Sequence, residues 1–377
     1  MQIALLEERF HDNFATHGEL GASVSVWRGG EEVVSLGAGF RDREKTKAWT
    51  AETPVLVWSA TKGPSAACVL HACQEHAVPI QTKVAEVWPE FAANGKAALT
   101  IAEVLSHQAG LPALSTEVPV FDHAAGAAAL AAEAPRWAAG EAHGYHPRTF
   151  GVLVDELVRR IARVPLGTYW RTRFAEPLQL RFWMGVDPTE LDSVAPVFAA
   201  RSAPPKDDPF YRAVMTPGSL TAQSFASPRG LHSASNLNTP EARQASFPAF
   251  GGIGTASALA KFYSMLAMGG VADGHRYFEP LALDWAETML FQGPDRVLQI
   301  PTAFSAGFMK DPLDDAGQKL RSIFGPSTRA FGQPGAGGSL AFADPENGIA
   351  FAYVMNQMEP GVLPNAKSLR LVEALYS

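Results

Sequence analysis

The chain has 377 residues, of which 47% are hydrophobic and 18% are charged, an ordinary globular balance that excludes a disordered or fibrous protein. Its formal charge is −7, from 31 basic and 38 acidic residues, and it carries no basic patch, which argues against nucleic acid as a partner. Two cysteines exclude a disulfide scaffold, no apolar run reaches the roughly 20 residues of a membrane span, and no secretory signal is visible, so we expect a cytoplasmic protein without a membrane anchor.

The N-terminal segment predicts a helix followed by a β-hairpin. Residues 4–16 place apolar side chains at helical spacing, which predicts an amphipathic helix. Residues 22–27 and 32–36 alternate as strands on either side of a Gly29-Gly30 turn. This end of the chain therefore supplies one helix and two adjacent strands.

The middle of the chain is predicted to be mostly helical. The segments with helical character are 100–105, which begins with a Thr-x-x-Glu capping box, the alanine-rich 124–133, and the amphipathic 152–161. In the last of these, Asp155–Arg159 and Glu156–Arg160 are i,i+4 pairs that we expect on the outer face. Residues 200–250 show no clear period and are predicted to be long surface loops that frame a cleft.

The C-terminal part repeats the N-terminal pattern. A helix over 256–268 ends at Gly269-Gly270. The strand-like segments 339–343 and 349–355 flank a turn, and a helix over 365–376 follows. Both ends thus offer a hairpin and a helix, which predicts an α+β fold: one antiparallel sheet built from both termini and flanked by helices. The middle would then be an insertion.

The domain prediction follows from this pattern. At about 150 residues per domain, the length allows two or three domains. We predict an α/β domain made of residues 1–80 and 245–377, and an inserted helical domain over 81–244 whose long loops overlie the active-site cleft.

Several familiar functional signals are missing from the sequence. It contains no Gly-x-Ser-x-Gly nucleophile elbow, no phosphate-binding loop and no dinucleotide fingerprint after a predicted strand. Its histidines lack metal-ligand spacing beside a carboxylate. We therefore predict neither a metal nor an organic cofactor.

The segment 58–64, Trp-Ser-Ala-Thr-Lys-Gly-Pro, is the first that points to chemistry. It precedes an apolar, helix-prone run, so Ser59 and Lys62 share one face at the start of a helix. A serine hydroxyl needs a base to become a nucleophile. Burial and the positive end of a helix both lower a lysine pKa, which would make Lys62 such a base.

Three further segments place this pair in a known pattern: 99–112 (LTIAEVLSHQAGLP), the Gly-Tyr-His-Pro over 144–147, and the glycine-rich 333–338 at the start of the C-terminal hairpin. In this order they resemble the serine β-lactamase-like superfamily. The chain is most similar there to class C β-lactamases and family VIII carboxylesterases, over nearly its whole length. The resemblance implies a class C β-lactamase-like fold.

The resemblance also assigns roles. It implies that Ser59 is the acylated nucleophile, that Lys62 is its proton acceptor, and that Tyr145 is a general base and then the acid for the leaving group. The oxyanion hole would consist of the backbone N–H groups of Ser59 and Ala336.

Two positions depart from the family pattern. Pro147 stands where an asparagine is usual, so it has no side-chain amide to orient Lys62. Gln333 stands where the lysine of Lys-Thr-Gly is usual, so it can bind a substrate carboxylate only without Coulomb attraction. Gln333, Gly335 and Gly337 are the expected substrate-binding residues, and the neutral Gln333 favours uncharged esters.

The sequence therefore predicts a serine carboxylesterase that hydrolyses short- to medium-chain esters through an acyl-enzyme on Ser59. One alternative is a β-lactamase or a D-amino-acid peptidase or amidase of the same fold. Another is a non-catalytic binding or assembly protein of that fold. The expected partner is a small-molecule ester, and the oligomeric state stays open.

Overall fold

The computed structural model describes residues 2–205 and 207–377, and its centre is an antiparallel sheet. The strands in chain order are β1 (Gly21–Arg28), β2 (Glu31–Gly39), β3 (Val55–Leu56), β4 (Phe182–Trp183), β5 (Ile253–Gly254), β6 (Val271–Ala272), β7 (His275–Arg276), β8 (Phe291–Pro294), β9 (Pro301–Phe304), β10 (Met309–Lys310), β11 (Phe331–Pro334), β12 (Leu340–Asp344) and β13 (Ile349–Met355). The large sheet has the order β2-β1-β13-β12-β11-β10-β9-β8, with all neighbours antiparallel.

Helices cover this sheet and form most of the middle of the chain. In chain order they are α1 (Ile3–Thr16), α2 (Lys62–Glu75), α3 (Val84–Val87), α4 (Ile101–Leu105), α5 (His123–Ala132), α6 (Thr149–Ala162), α7 (Leu166–Trp170), α8 (Pro209–Met215), α9 (Leu220–Ala226), α10 (Ala234–Leu237), α11 (Pro240–Gln244), α12 (Ala256–Ala267), α13 (Pro280–Glu287) and α14 (Ala366–Tyr376). Among the described residues, no helix is long and apolar enough to cross a membrane.

The two ends of the chain meet in the sheet, as the sequence predicts. Strand β1 pairs with β13 in register from Ala22↔Met355 to Arg28↔Ile349, and α1 packs against α14. The predicted fold class, an antiparallel sheet built from both termini and flanked by helices, is confirmed.

Strand β13 shows how residue size assigns the two faces of the sheet. Its Phe351 and Tyr353 lie in the core formed with α1 and α14, whereas Ala350 and Ala352 lie in the core that contains α12. Successive strand residues point to opposite faces, so large and small side chains separate cleanly. The alanine face lets α12 approach the sheet closely.

The prediction that residues 200–250 are long loops is wrong in part, because this stretch contains α8 to α11. Each of these helices has seven residues or fewer, too short for a helical period to be visible in the sequence. Their starts do carry a local signal. Asp208, Ser219, Ser233 and Thr239 each accept a hydrogen bond from a backbone N–H in the first turn that follows.

The expectation that the Asp155 and Glu156 pairs lie on the outer face of α6 is also wrong in part. Both carboxylates do pair with the arginines four residues on, Nε to oxygen at 3.2 and 2.7 Å. Both acidic residues are nevertheless buried, because α5 packs against α6 and brings His123 within 3.0 and 3.2 Å of them. Spacing along one helix could not reveal a neighbouring helix over the same face.

Helix α2 lies where the sheet meets the helical middle of the chain. It packs against α6 and α7 on one side and against β11 on the other, and Lys62 to Cys73 are all buried. The division into domains at residues 80 and 245 remains a prediction. The position of α2 between the two regions is what brings the candidate residues together.

Candidate active site

Ser59 lies in a 3₁₀ turn, Trp58–Thr61, that leads directly into α2. Two hydrogen bonds pin this turn to the segment before β5: Val57 N donates to Gly252 O at 2.9 Å, and Gly252 N donates to Thr61 Oγ1 at 2.8 Å. Trp58 has φ +53°, a left-handed conformation that is costly for a bulky residue. The tightly held turn presents the Ser59 side chain toward Lys62.

Lys62 is completely buried, and its amine has three oxygen neighbours. Nζ lies 2.9 Å from Pro147 O, 2.8 Å from Ala249 O and 3.3 Å from Ser59 Oγ. A neutral amine has two N–H donors and one lone pair. The two carbonyls can only accept, so they take the two protons, and the lone pair faces the Ser59 hydroxyl.

The surroundings of Lys62 favour that neutral form. Burial lowers the pKa of Lys62 well below its ordinary value, and the positive charge of Arg148 lowers it further. Within the described chain no carboxylate lies within ion-pairing distance of Nζ to oppose this. The arrangement is therefore a buried base beside a serine hydroxyl.

Tyr145 completes the cluster. Its ring centre is 4.6 Å from Lys62 Nζ, and its phenol oxygen accepts a hydrogen bond from Gln333 Nε2 at 3.2 Å. Burial raises the pKa of Tyr145, a hydrogen bond with Ser59 opposes the rise, and the negative charge of Asp295 adds to it. The phenol is thus protonated at neutral pH. This form suits the predicted role of Tyr145 as the acid for the leaving group, whereas its predicted role as a general base would require the phenolate.

Two histidines that the sequence analysis did not assign to the site hold the Tyr145 segment in place. Leu111 N donates to His146 Nε2 at 2.9 Å, so the ring proton is on Nδ1, which lies 2.7 Å from Gly144 O. His146 N donates in turn to His107 Nδ1 at 3.1 Å. Burial lowers the pKa of His146 to about 3, so it is a neutral part of the scaffold.

The glycine-rich segment after β11 lies against the Ser59 turn. A side chain at Gly335 would collide with the carbonyl oxygen of Val57, two residues before Ser59. In residues 2–205 and 207–377, neither the Ser59 N–H nor the Ala336 N–H donates a hydrogen bond to the protein. Two free donors on facing segments are what an oxyanion hole requires.

Gly337 and Pro147 act through their backbones. Gly337 has φ +85° and packs under the Met358 side chain, which a Cβ would meet at 2.6 Å, and its N–H donates to Gly361 O at 3.0 Å. The expectation that Pro147 cannot orient Lys62 needs correction. A proline lacks an amide donor, but its carbonyl is the acceptor that fixes one Lys62 proton.

The sequence analysis missed two groups that contact the cluster. The carbonyl of Ala249 is a backbone acceptor 187 residues from Lys62, and no side-chain pattern signals it. Asp295 contacts the Tyr145 backbone from the β8–β9 connection. A lone aspartate in a Gly-Pro-Asp turn looks like ordinary turn chemistry.

A cavity of about 840 Å³ lies beside the cluster but does not include it. Arg148, Gly151, Trp183, Pro248 and Phe250 are among the residues that line it; Ser59, Lys62 and Tyr145 are not. The segment 247–250 separates this cavity from Lys62, since its Ala249 carbonyl faces the amine. The candidate residues therefore lie at the Ser59 turn and outside the lining of this cavity.

The sheet topology and the serine–lysine–tyrosine cluster together define a hydrolase of the β-lactamase fold, and comparisons with known proteins agree. The sequence matches the Beta-lactamase family over residues 6–375, so the chain belongs to that family. It is 31% identical over 360 residues to the esterase/beta-lactamase LipL of Mycobacterium tuberculosis, covering 90% of this chain and 77% of that protein.

Solved structures give the same result. A penicillin-binding protein homologue from Caulobacter crescentus shares 37% identity with a TM-score of 0.87, covering 99% of this chain and 96% of that one. A family VIII carboxylesterase shares 30% identity with a TM-score of 0.88, with the same coverage. The resemblance stated from the sequence motifs, to the serine β-lactamase-like superfamily, is confirmed.

Proposed function

We propose that this protein is a serine carboxylesterase that hydrolyses short- to medium-chain esters through an acyl-enzyme on Ser59. The observation that carries the proposal is the position of Lys62 Nζ, which lies 2.9 and 2.8 Å from two carbonyl oxygens and 3.3 Å from Ser59 Oγ. A neutral amine there gives its two protons to the carbonyls and turns its lone pair toward the hydroxyl. The similarity to a family VIII carboxylesterase and to a protein named an esterase supports it.

Acylation begins with the ester carbonyl oxygen between the N–H groups of Ser59 and Ala336, which stabilise the negative charge that develops there. Ser59 Oγ bonds to the carbonyl carbon as Lys62 Nζ takes the hydroxyl proton. The bond to the alcohol then breaks, and Tyr145 donates its phenol proton to the departing oxygen. The Lys62 ammonium returns a proton to Tyr145, which leaves an ester on Ser59 and both groups in their starting forms.

Deacylation uses Lys62 again, this time to activate water. Water attacks the acyl carbon while Lys62 takes one of its protons. The bond to Ser59 Oγ breaks, and the serine recovers a proton from the Lys62 ammonium. Carboxylic acid is released, and the hydroxyl and the neutral amine are restored.

Gln333 is the reason that the proposal specifies uncharged esters. Its amide donates to the Tyr145 phenol oxygen at 3.2 Å, and the side chain is buried and neutral. A lysine there would attract a substrate carboxylate by Coulomb force, whereas the amide offers only a neutral hydrogen bond. β-Lactam hydrolysis is the second candidate, because the relative LipL is named an esterase/beta-lactamase.

The experiment that tests the proposal is hydrolysis of p-nitrophenyl esters from acetate to dodecanoate, with nitrocefin alongside. We expect turnover of the shorter esters and its loss in Ser59→Ala. Ser65→Ala is the matched control, since Ser65 lies on α2 with its hydroxyl bonded to Thr61 O and Pro248 O, and we expect it to keep turnover.

Three results would contradict the proposal, and each leads to a different conclusion. Ester turnover that survives in Ser59→Ala removes the acyl-enzyme proposal. Nitrocefin turnover well above ester turnover replaces the esterase with the β-lactamase. Failure of a fluorophosphonate probe to label Ser59, with no turnover of either substrate, leaves the non-catalytic alternative.

A further inference from the structure

The carboxylate of Asp295 lies behind the Tyr145 backbone and is almost completely buried. Its Oδ1 accepts hydrogen bonds from Val297 N and Leu298 N, both at 2.8 Å, which closes its own turn. The Tyr145 N–H points at the carboxylate, 3.0 Å from Oδ1 and 3.1 Å from Oδ2, and Thr302 Oγ1 donates to Oδ2 at 2.9 Å. Oδ2 of Asp295 therefore accepts hydrogen bonds from groups outside the turn.

A histidine extends this network without neutralising it. The Thr302 hydroxyl donates its only proton to Asp295, so its oxygen can only accept a further hydrogen bond. That bond comes from His143 Nε2 at 2.6 Å. Burial lowers the pKa of His143, so the ring is neutral although Nε2 is 3.8 Å from the carboxylate. In the part of the chain described, no other basic side chain reaches Asp295 within 4 Å, and the more distant Arg321 guanidinium, which pairs with Asp311, interacts with Asp295 only electrostatically.

We propose, on the basis of the proposed esterase function, that Asp295 is a positioning residue for Tyr145. Its carboxylate anchors the Tyr145 backbone and thereby holds the phenol oxygen between Gln333 and Ser59. The backbone beside Asp295 also pairs with the backbone that leads to Tyr145, since Arg296 N donates to His143 O at 3.1 Å. The turn and the tyrosine segment are therefore joined by backbone as well as side-chain hydrogen bonds.

The negative charge of Asp295 gives the anchor a second effect. The groups that face Tyr145 are Ser59, Lys62, His107, Gln333 and Asp295. Lys62 and His107 are buried with lowered pKa values, which leaves Asp295 as the formal charge of this set at neutral pH. A fixed negative charge opposes phenolate formation and keeps Tyr145 a proton donor.

The alternative is that Asp295 only stabilises its own turn. A backbone cap of that kind needs one oxygen and no protein partner beyond residue 298. The bonds to Tyr145 and Thr302 exceed that need. The two readings differ in what they predict for the rate constant, which allows a direct test.

The test is Asp295→Asn, assayed for kcat and KM on p-nitrophenyl acetate and butyrate, and for Tm. We expect kcat to fall about 10- to 100-fold while KM changes less than about threefold, since a displaced catalytic group costs rate and not ground-state binding.

Asp311→Asn is the matched control. Asp311 is also a buried aspartate that accepts backbone N–H groups, from Ile323 at 3.1 Å and Phe324 at 3.2 Å, but it does not contact Tyr145. We expect it to lower Tm and leave kcat and KM unchanged. If Asp295→Asn behaves as Asp311→Asn does, with a lower Tm and unchanged kcat, the proposal is overturned.

Thr302→Val keeps the proposal testable if Asp295→Asn does not fold. It removes one donor to Oδ2 and should lower kcat about two- to tenfold, the rate equivalent of one hydrogen bond. An unchanged kcat in this variant counts against the anchor. If the wild type hydrolyses no ester, the esterase proposal fails separately, and the same variants are compared by their rates of labelling with a fluorophosphonate, where equal rates overturn the role of Asp295.

Discussion

Two buried lysines, Lys62 and Lys96, show what turns burial into chemistry. Both are completely buried, and both have three oxygen neighbours at Nζ. For Lys96 all three are backbone carbonyls, from Ala93 at 2.8 Å, Ala131 at 3.0 Å and Glu133. For Lys62 two are carbonyls and the third is the hydroxyl of Ser59.

The third oxygen neighbour of Nζ distinguishes a base from a structural cation. Three carbonyls can only accept, so they satisfy all three N–H groups of an ammonium and hold Lys96 as a structural cation. A hydroxyl can also donate, so the site around Lys62 suits a neutral amine. Burial lowers the pKa of both lysines, but Glu133 opposes the shift at Lys96 and Arg148 adds to it at Lys62. Burial alone therefore does not make a base.

The same substitution made at both lysines tests most strongly whether Lys62 is a base and Lys96 a structural cation. Lys62→Met should lower kcat for ester hydrolysis between about 100- and 10,000-fold, the range expected for loss of a general base. Lys96→Met should leave kcat within about twofold of the wild type while its unsatisfied carbonyls cost about 1–3 kcal/mol of unfolding free energy. Steady-state kinetics and urea unfolding measure the two effects.

Lys96→Met is also the control for Lys62→Met, because each substitution removes a buried amine and leaves buried carbonyls without a donor. An equal loss of kcat in the two folded variants would contradict the distinction between base and structural cation. A large loss confined to Lys62→Met would confirm it.

The serine–lysine–tyrosine cluster could be predicted from the sequence because its members carry reactive side chains in a recognisable order. Ser59, Lys62, Tyr145 and the segment around Ala336 were predicted, and the structure brings them together. The sheet was predictable for a similar reason: residues 22–27 alternate, residues 349–355 are strand-like, and both termini offer a hairpin.

The remainder depends on backbone atoms and on neighbours distant in the chain. The carbonyls of Pro147 and Ala249 hold Lys62, and a carbonyl is present at every residue, so the sequence carries no mark of it. Asp295 lies 150 residues from Tyr145, where only the fold brings them into contact. The burial of Asp155 and Glu156 likewise required the position of α5.

Arg148 supplies a positive charge near Lys62 that has no counterpart at Lys96 among the residues the structure describes. Arg148→Met removes the positive charge that helps to lower the Lys62 pKa, so the folded-state pKa of Lys62 rises. In the proposed mechanism activity requires neutral Lys62, so kcat/KM increases as pH rises through that pKa, and the acid limb should move to higher pH. The pH dependence of kcat/KM on p-nitrophenyl acetate measures the shift.

Arg148→Lys separates this charge from the packing of the side chain. Arg148 also donates to Gly230 O and Leu231 O and lies over the Phe250 ring, so any substitution disturbs that loop. A lysine keeps the positive charge and should leave the acid limb near its wild-type position. If both variants shift the limb equally, the loop contacts and not the charge set the Lys62 pKa.

The smallest expected effect comes from adding a cation on the opposite side of the cluster. Gln333→Lys places an ammonium group beside the Tyr145 phenol, where Gln333 now donates a neutral hydrogen bond at 3.2 Å. It should raise kcat/KM for nitrocefin relative to p-nitrophenyl butyrate by about tenfold or less, since a charged hydrogen bond to the β-lactam carboxylate replaces a neutral one. Gln333→Met, a neutral side chain of similar length, should not raise that ratio. An increase in both variants would mean that space at residue 333, and not charge, limits β-lactam turnover, and the selectivity for uncharged esters would then have to arise elsewhere in the cleft.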